Sequence, residues 1–241
     1  MLILNESLLC VRMKRVSKHR FWDDSEREVT NIQISEVMEE NYGLYVWPGS
    51  IVLAEYIWQH RTLFRGAQVL ELGAGTALPG ILAAKLGAHV TLTDLENNSE
   101  CFTISHDTIV QPYNIHLQVF ENMARNCEEN QVGCKILSLT WGSWDQNMLN
   151  LNPDVVLGAD VLYNSSDFDD LFATVAFLLQ KNPAAVFITA YEPRSAHRSI
   201  EFLMAKWKLQ CIKLVDAHEI LPQAKLLSVS TSVEIAEIKS L

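Results

Sequence analysis

The sequence predicts an α/β fold, in which a doubly wound, seven-stranded, mostly parallel sheet carries helices on both faces. Three observations predict it. Strand-like and helix-like segments alternate along residues 67–207. The first strand of the series runs into a glycine-rich turn, VLELGAGTALPG at 69–80, and the second ends at an acidic residue, Asp94. Such alternation is typical of parallel strands joined by crossover helices.

Each predicted element follows from its own pattern. Short apolar segments bounded by turn residues predict strands at 67–72, 89–94, 135–141, within 153–163, and at 184–191, 209–215 and 233–239. Apolar residues at helical spacing predict helices at 42–64, 78–87, 115–130, 168–181 and 196–207. Since no helix is predicted between the last two strands, we expect them to form an antiparallel pair at one edge, with an antiparallel last strand.

The N-terminal part differs from this rhythm. The segment EREVTNIQISEV (26–37) alternates polar and apolar residues, which predicts a small β-rich, hairpin-like extension over 1–41 and one larger domain over 42–241. The 95–113 stretch is longer than a usual βα loop, and a lid, an insertion and a locally disordered loop all stay open.

Composition excludes several classes of protein. A formal net charge of -10 argues against a nonspecific nucleic-acid binder, which needs a basic face. The five cysteines are scattered, with no C-x-x-C pair, so we expect free thiols in a reducing compartment and no metal site. The longest apolar run, LFATVAFLL at 171–179, is too short to span a membrane.

The glycine turn predicts a ligand site. At the carboxyl end of a strand, Gly73 and Gly75 let the backbone approach a ligand, although a tight turn alone also needs glycine. The dinucleotide fingerprint G-x-G-x-x-G fails at Leu78, and Glu71 would repel a pyrophosphate. Asp94 is placed to accept ribose hydroxyls. Two carboxylates around this turn favour a nucleoside that carries an amino group or a sulfonium, and S-adenosylmethionine has both.

Several motifs together resemble a known family. ELGAGTALPG, the Asp94 strand end, LTWG, GADVLY and the preceding YVWPGSIVLAEYIW resemble the seven-β-strand, Rossmann-like methyltransferases, and within them the family 16, protein lysine methyltransferase-type group. The resemblance covers roughly 42–94 and 115–210. It implies that residues 42–241 form an S-adenosylmethionine-dependent methyltransferase domain.

The resemblance also implies roles for individual residues. The residues that it assigns to the cofactor are Trp47, Glu71, Gly73, Ala74, Gly75, Asp94, Trp141 and Ala159. Trp47 would close over the cofactor, the turn residues would wrap its methionine end, Asp94 would bind the ribose, Trp141 would lie beside the adenine and Ala159 would touch the cofactor. The two tryptophans could instead be plain core aromatics.

The substrate side of the site is expected at the fourth strand. The resemblance gives Asp160 to Tyr163 an acidic-x-x-aromatic motif at the mouth, with Asp160 and Tyr163 as the catalytic pair, although Tyr163 could simply pack. Tyr191, Glu192 and Arg194 either form a solvated loop or line the substrate channel. No D/N-P-P-Y/F/W motif follows the fourth strand, which disfavours methylation of nucleic-acid bases.

The expected function is methyl transfer to a side-chain nitrogen of a protein. The resemblance favours histone arginine, with a role in transcription regulation, in the nucleus and cytoplasm. The absence of a paired-glutamate loop counts against arginine, and lysine of a chaperone or other non-histone protein is the alternative. A non-catalytic, methyltransferase-like binding module is a second alternative. We expect a monomer whose partners are histone-like or chaperone-like substrates and transcription factors, with no direct nucleic-acid or membrane contact.

Overall fold

The structure is a computed structural model and describes residues 14–23, 25, 27–37, 42–95, 115–193, 198–226, 229 and 232–241. Two sequence predictions lie outside the described residues: the long stretch after the second strand of the sheet, from 96 to 113, and Arg194. The described residues form one seven-stranded sheet, one two-stranded sheet and the helices around them.

The seven-stranded sheet confirms the predicted fold class. Its strands are β3 (Gln68–Glu71), β4 (His89–Asp94), β5 (Lys135–Ser138), β6 (Val155–Ala159), β7 (Val186–Tyr191), β8 (Leu209–Asp216) and β9 (Glu234–Ser240). They lie in the order β5-β4-β3-β6-β7-β9-β8. The last strand, β9, is antiparallel to both of its neighbours, β7 and β8, and the other pairings are parallel. The predicted antiparallel pair is therefore present, with the last strand inserted inside the edge.

Helices cover both faces of this sheet. They are α1 (Pro48–Gln59), α2 (Leu78–Lys85), α3 (Ile115–Glu129), α4 (Gln146–Asn150), α5 (Phe168–Lys181), α6 (Arg198–Lys206), α7 (Ala217–Ile220) and α8 (Gln223–Leu226). Side chains of α1 and α2 belong to one apolar core, and those of α5 and α6 to a second. In β6, Val155 and Leu157 face the first core while Val156 faces the second. This central strand is buried on both faces, which explains its continuous apolar run.

The sheet has one point where the chain order reverses. From β3 the chain runs outwards through β4 to β5, and it then crosses back to β6 on the other side of β3. In open α/β sheets ligands bind at such a switch point, outside the carboxyl ends of the strands. The glycine turn after β3 lies at this position.

The N-terminal residues form an antiparallel hairpin, β1 (Lys14–Trp22) and β2 (Glu28–Val37). Its buried side chains Phe21, Ile32 and Ile34 belong to the first core of the large sheet. A hairpin therefore exists where the sequence predicts one, and it packs onto the rest of the molecule. The domain boundary at residue 41 stays a prediction.

Two asparagines on one face of α3 and a third directly after its last residue hold the outer edge of β2. Because Asn122, Asn126 and Asn130 are four residues apart, the side chains of the first two share a helical face and that of the third follows in line with them. The Asn130 side chain accepts a hydrogen bond from the Gln33 amide at 2.9 Å and donates to the Gln33 carbonyl at 2.6 Å. Asn126 accepts from the Ser35 amide at 2.8 Å, and Asn122 donates to the Ser35 carbonyl at 3.0 Å. These side chains satisfy backbone groups that an edge strand otherwise leaves unpaired.

Some predicted boundaries were wrong. The helix predicted over 42–64 is α1 alone, with short 3-10 turns at Tyr42–Leu44 and Arg61–Leu63. It begins at Pro48, since proline suits the first position of a helix and cannot extend it backwards. The last two strands are separated by two four-residue helices, α7 and α8, where none was predicted.

Candidate active site

The turn between β3 and α2 forms a close-fitting cradle. Gly73 and Gly75 adopt left-handed φ values of 60° and 52°. A Cβ on Gly73 would lie 3.1 Å from Val161 and 3.4 Å from the Trp141 ring. A Cβ on Gly75 would lie 3.2 Å from the carbonyl oxygen of Gly43. Both glycines are therefore required by backbone conformation and by close neighbours.

The turn is held from the adjacent strand. The Ala74 amide donates to the Thr93 carbonyl at 2.9 Å, and the Thr93 hydroxyl donates to the Glu71 carbonyl at 2.7 Å. Thr93 and Ala74 are both buried. The shape of the turn is thus fixed by β4 as well as by its own glycines.

Glu71 lies behind the turn. Its side chain is buried, and its carboxylate accepts a hydrogen bond from the Gly80 amide in the first turn of α2 at 2.9 Å. Burial raises the pKa of this carboxyl to about 8, against a partial opposing effect of the Gly80 amide. The carboxyl group therefore braces the turn against α2, and its predicted contact with the methionine end of a cofactor stays a prediction.

Asp94 lies beside the cradle, as the strand order requires. It ends β4, next to β3, and accepts hydrogen bonds from the Gly75 amide at 2.9 Å and the Leu95 amide at 2.8 Å. A carboxylate has about four acceptor positions and can accept several hydrogen bonds at once, as ribose hydroxyls would require.

The side chain of Asp160 links the end of β6 to the start of α1 by a hydrogen bond. It follows Ala159, the half-buried last residue of β6, and has a left-handed φ of 54°. Its amide donates to the Ala190 carbonyl at 2.8 Å, and its carboxylate accepts from the Gly49 amide at 2.7 Å. Gly49 lies in the first turn of α1, where the helix dipole favours a negative charge. This bond holds the Asp160 side chain at the carboxyl edge of the sheet.

The predicted aromatic residues differ in exposure. Trp47 directly precedes α1, is 36% exposed and meets the Tyr45 ring edge-on at a centroid distance of 5.4 Å. Trp141 is half-buried and packs beside Gly73. Tyr163 is 55% exposed. Trp141 therefore lines the cradle itself, whereas Trp47 and Tyr163 present ring surface to solvent.

The carboxylates of Glu192 and Glu234 accept hydrogen bonds where β7 ends and β9 begins. The Tyr191 hydroxyl donates to the Glu234 carboxylate at 3.0 Å, and the Ser232 hydroxyl donates to the Glu192 carboxylate at 2.9 Å. Burial and the charge of Glu234 raise the pKa of Tyr191. Sequence reasoning missed Glu234, because it is 43 residues from Tyr191 and only strand pairing brings the two together.

Other site residues were also missed. Gly49 and Thr93 contact predicted residues directly, and the Asn126 side chain donates to the carbonyl of Thr76 in the turn at 3.1 Å. Gly49 stands in the quoted segment YVWPGSIVLAEYIW, so its position after Trp47 and Pro48 was an available signal. No local pattern marks Asn126.

The cradle fits the cofactor that the sequence suggested. At Gly73 and Gly75 the turn carries no side chain and the backbone itself faces Val161, Trp141 and the Gly43 carbonyl, and Asp94 supplies an acidic acceptor at the end of the adjacent strand. Together with the strand order and the antiparallel last strand, these features define an S-adenosylmethionine-dependent methyltransferase. S-adenosylmethionine is the cofactor of this class.

Comparison with known proteins identifies the family. The sequence matches the profile of the lysine methyltransferase family over residues 26–207, and the chain belongs to this family. It is 40% identical over 219 residues to "Histone-arginine methyltransferase METTL23" of Xenopus laevis, covering 88% of this chain and 85% of the relative. It is 30% identical over 175 residues to "EEF1A lysine methyltransferase 3" of Xenopus tropicalis, covering 72% and 69%.

A solved structure supports the fold. The 16S rRNA N2 G1207 methyltransferase RsmC of T. thermophilus, in complex with AdoMet and guanosine, superposes with a TM-score of 0.58 at 16% identity, over 95% of this chain and 51% of that one. Within the described ranges, no helix is long and apolar enough to cross a membrane. The same residues contain no group of three or more His, Cys, Asp or Glu side chains that could hold a metal ion.

Proposed function

We propose that this protein is an S-adenosylmethionine-dependent protein N-methyltransferase whose acceptor is an arginine side chain of a histone. The observation that supports this acceptor is the set of carboxylates at the carboxyl edge of the sheet, from Asp160, Glu192 and Glu234. A guanidinium stays charged, with a pKa above about 12, so carboxylates are needed to orient it. Similarity to the frog histone-arginine methyltransferase supports the same acceptor.

On the cofactor side, the residues of this chain bind and orient. Gly73 and Gly75 would admit the cofactor against the backbone, Asp94 would accept its ribose hydroxyls, and Trp141 would lie beside its adenine. When bound, S-adenosylmethionine supplies a methyl group on a sulfonium that is already activated for displacement. Alignment of the acceptor with that group and exclusion of water are then the main tasks of the protein, and positioning supplies about 7–11 kcal/mol in such reactions.

On the acceptor side, Asp160 is the central group. Its charge would orient a guanidinium while the Gly49 amide keeps the carboxylate in place. The methylated nitrogen must lose one proton, and the carboxylates at this edge are the groups that would receive it or pass it to solvent. The exposed ring of Tyr163 would cover the aliphatic part of the acceptor side chain.

Lysine is the second candidate acceptor. The description of the family and the EEF1A-directed relative favour it. A lysine amine must be neutral before it can attack, and burial against aromatic rings such as Tyr163 lowers its pKa. A chaperone or another non-histone protein would then be the substrate.

The expected partners follow from charge. A net charge of -10 suits a basic protein such as a histone and disfavours direct nucleic-acid binding. Histone methylation would give the protein a role in transcription regulation, alongside transcription factors, with the protein in the nucleus and cytoplasm as a monomer.

The experiment uses the whole chain, tritiated S-adenosylmethionine, purified core histones and a purified chaperone, with modified residues identified by mass spectrometry. We expect methyl-arginine on a histone. Asp160→Asn keeps an acceptor for the Gly49 amide but removes the charge, and it should reduce transfer about 100-fold. Asp154→Asn is the matched control, because Asp154 accepts the Gln68 amide at the opposite end of β3. Methyl-lysine on the chaperone would favour the alternative, and cofactor binding without any transfer would favour a binding module.

A further inference from the structure

A short segment, Gly43–Trp47, crosses the glycine turn and leads into α1; we call it the strap. Its carbonyl at Gly43 lies against Gly75, since a Cβ on Gly75 would be 3.2 Å from that oxygen. On its other side Gly43 packs on α3, where a Cβ would be 2.8 Å from Val119. The strap is therefore enclosed between the glycine turn and α3 at its Gly43 end, and its other end is Trp47.

The hairpin holds the strap through a buried carboxylate. Glu36, on β2, is 2% exposed and accepts a hydrogen bond from the Val46 amide at 3.0 Å. Val46 is itself 5% exposed and immediately precedes Trp47. Without this acceptor the Val46 amide would have to find water or another partner, because a buried unpaired amide is costly.

The same strand is also joined to the glycine turn. Asn126, which is fully buried, accepts a hydrogen bond from the Ser35 amide at 2.8 Å and donates to the Thr76 carbonyl at 3.1 Å. Ser35 and Glu36 are adjacent in β2. One strand of the hairpin thus fixes the turn through Asn126 and the strap through Glu36.

We propose that the β1–β2 hairpin is a working part of the cofactor site and that Glu36 is a positioning residue, which holds Trp47 over the turn through the Val46 amide. The proposal rests on the role that the sequence resemblance implies for Trp47, which is to close over the proposed cofactor, and it does not depend on the identity of the protein substrate. A hairpin that only completed the core would stabilise the protein without acting through Trp47.

The test is a double-mutant cycle on S-adenosylhomocysteine affinity, measured by calorimetry on the whole chain. We expect Glu36→Ala and Trp47→Ala each to weaken binding about tenfold, and the double variant to bind no more weakly than the poorer single variant, because both remove one interaction. Glu36→Gln keeps an acceptor oxygen and should bind within about threefold of the unmodified protein. In the cofactor-free protein, hydrogen exchange should be faster at Val46 in Glu36→Ala and unchanged in Glu36→Gln.

Glu129→Ala is the matched control, because Glu129 accepts the Ser35 hydroxyl at 3.0 Å in the same junction, and among the described residues its hydrogen bonds run to Ser35 and not to the strap. It should bind S-adenosylhomocysteine normally. Normal binding by Glu36→Ala, normal binding by Trp47→Ala, or losses that multiply in the double variant would each overturn the proposal. Should Glu36→Ala not fold, Glu36→Asp carries the same cycle, since its shorter side chain withdraws the acceptor from Val46. Because binding is the readout, failure here and failure of histone methylation are distinguishable.

Discussion

The carboxylate of Asp160 and the backbone amide of Gly49 are joined by a 2.7 Å hydrogen bond, although 111 residues separate them in the chain. The bond links the end of β6 to the first turn of α1, and so links the carboxyl edge of the sheet to the helix that follows Trp47. It also explains the glycine, because a Cβ on Gly49 would lie 2.5 Å from an Asp160 carboxylate oxygen.

Gly49→Ala should therefore displace the Asp160 carboxylate. We expect a loss of about 1–3 kcal/mol in the free energy of unfolding, as for other overpacked sites, measured by urea denaturation. The double variant Gly49→Ala/Asp160→Ala removes the clash, so its loss should be smaller than the sum of the two single losses. Strict additivity would show that the two residues do not interact as described.

The fold was predictable because its signal is local. Apolar periodicity marked the strands and the longer helices, and the failed dinucleotide fingerprint at Leu78 pointed away from a pyrophosphate. The helices α4, α7 and α8 were missed, since elements of four or five residues are too short to show a helical period.

The site was predictable only in part. The proximity of Gly75 and Asp94 was predictable because the carboxyl ends of neighbouring parallel strands meet at one edge, and the structure joins the two residues by a hydrogen bond. Glu36, Asn126 and Glu234 were not, because each acts through a partner that only tertiary packing supplies. Patterns in the sequence identify the turn itself, whereas the bonds that hold it come from distant segments.

Gly75→Ala should abolish cofactor binding. The substitution places a Cβ at a left-handed φ of 52° and within 3.2 Å of the Gly43 carbonyl. Gly66→Ala is the matched control, because Gly66 has a φ of 73° but no atom within 4 Å of the added Cβ. Both variants should lose about 1–2 kcal/mol from backbone strain, and only Gly75→Ala should lose S-adenosylhomocysteine affinity in calorimetry. Equal affinities would mean that the approach of Gly43 to Gly75 is unimportant.

Asp94→Ala should weaken the cofactor site and the turn together. The variant removes the acceptor of the Gly75 amide and of the Leu95 amide, so we expect a stability loss of about 1–3 kcal/mol and at least tenfold weaker S-adenosylhomocysteine binding. Asp154→Ala removes a comparable bond, from the Gln68 amide at 2.9 Å, at the far end of β3. It should lose stability without losing affinity. If both variants bind equally well, Asp94 has no contact with the ribose.

Glu71 should make stability depend on pH in an unusual direction. Burial raises its pKa from 4.5 to about 8, so between these values the folded protein holds a proton that the unfolded chain has released. The free energy of unfolding then falls as pH rises, by at most about 1.4 kcal/mol per pH unit. The stabilising contribution is complete below pH 4.5 and is lost as pH rises through about 8.

Glu71→Gln isolates this effect, because glutamine can accept the Gly80 hydrogen bond but cannot titrate. We expect the free energy of unfolding of the unmodified protein to fall relative to that of Glu71→Gln as pH rises from 5 to 8, measured by urea denaturation at each pH. His19 has an opposite acid dependence, since burial together with Lys225 and Arg15 lowers its pKa to about 4, but it is present in both proteins and cancels from the difference. A constant difference between pH 5 and 8 would mean that Glu71 is already ionised in the folded protein, and that the braced turn carries a buried charge.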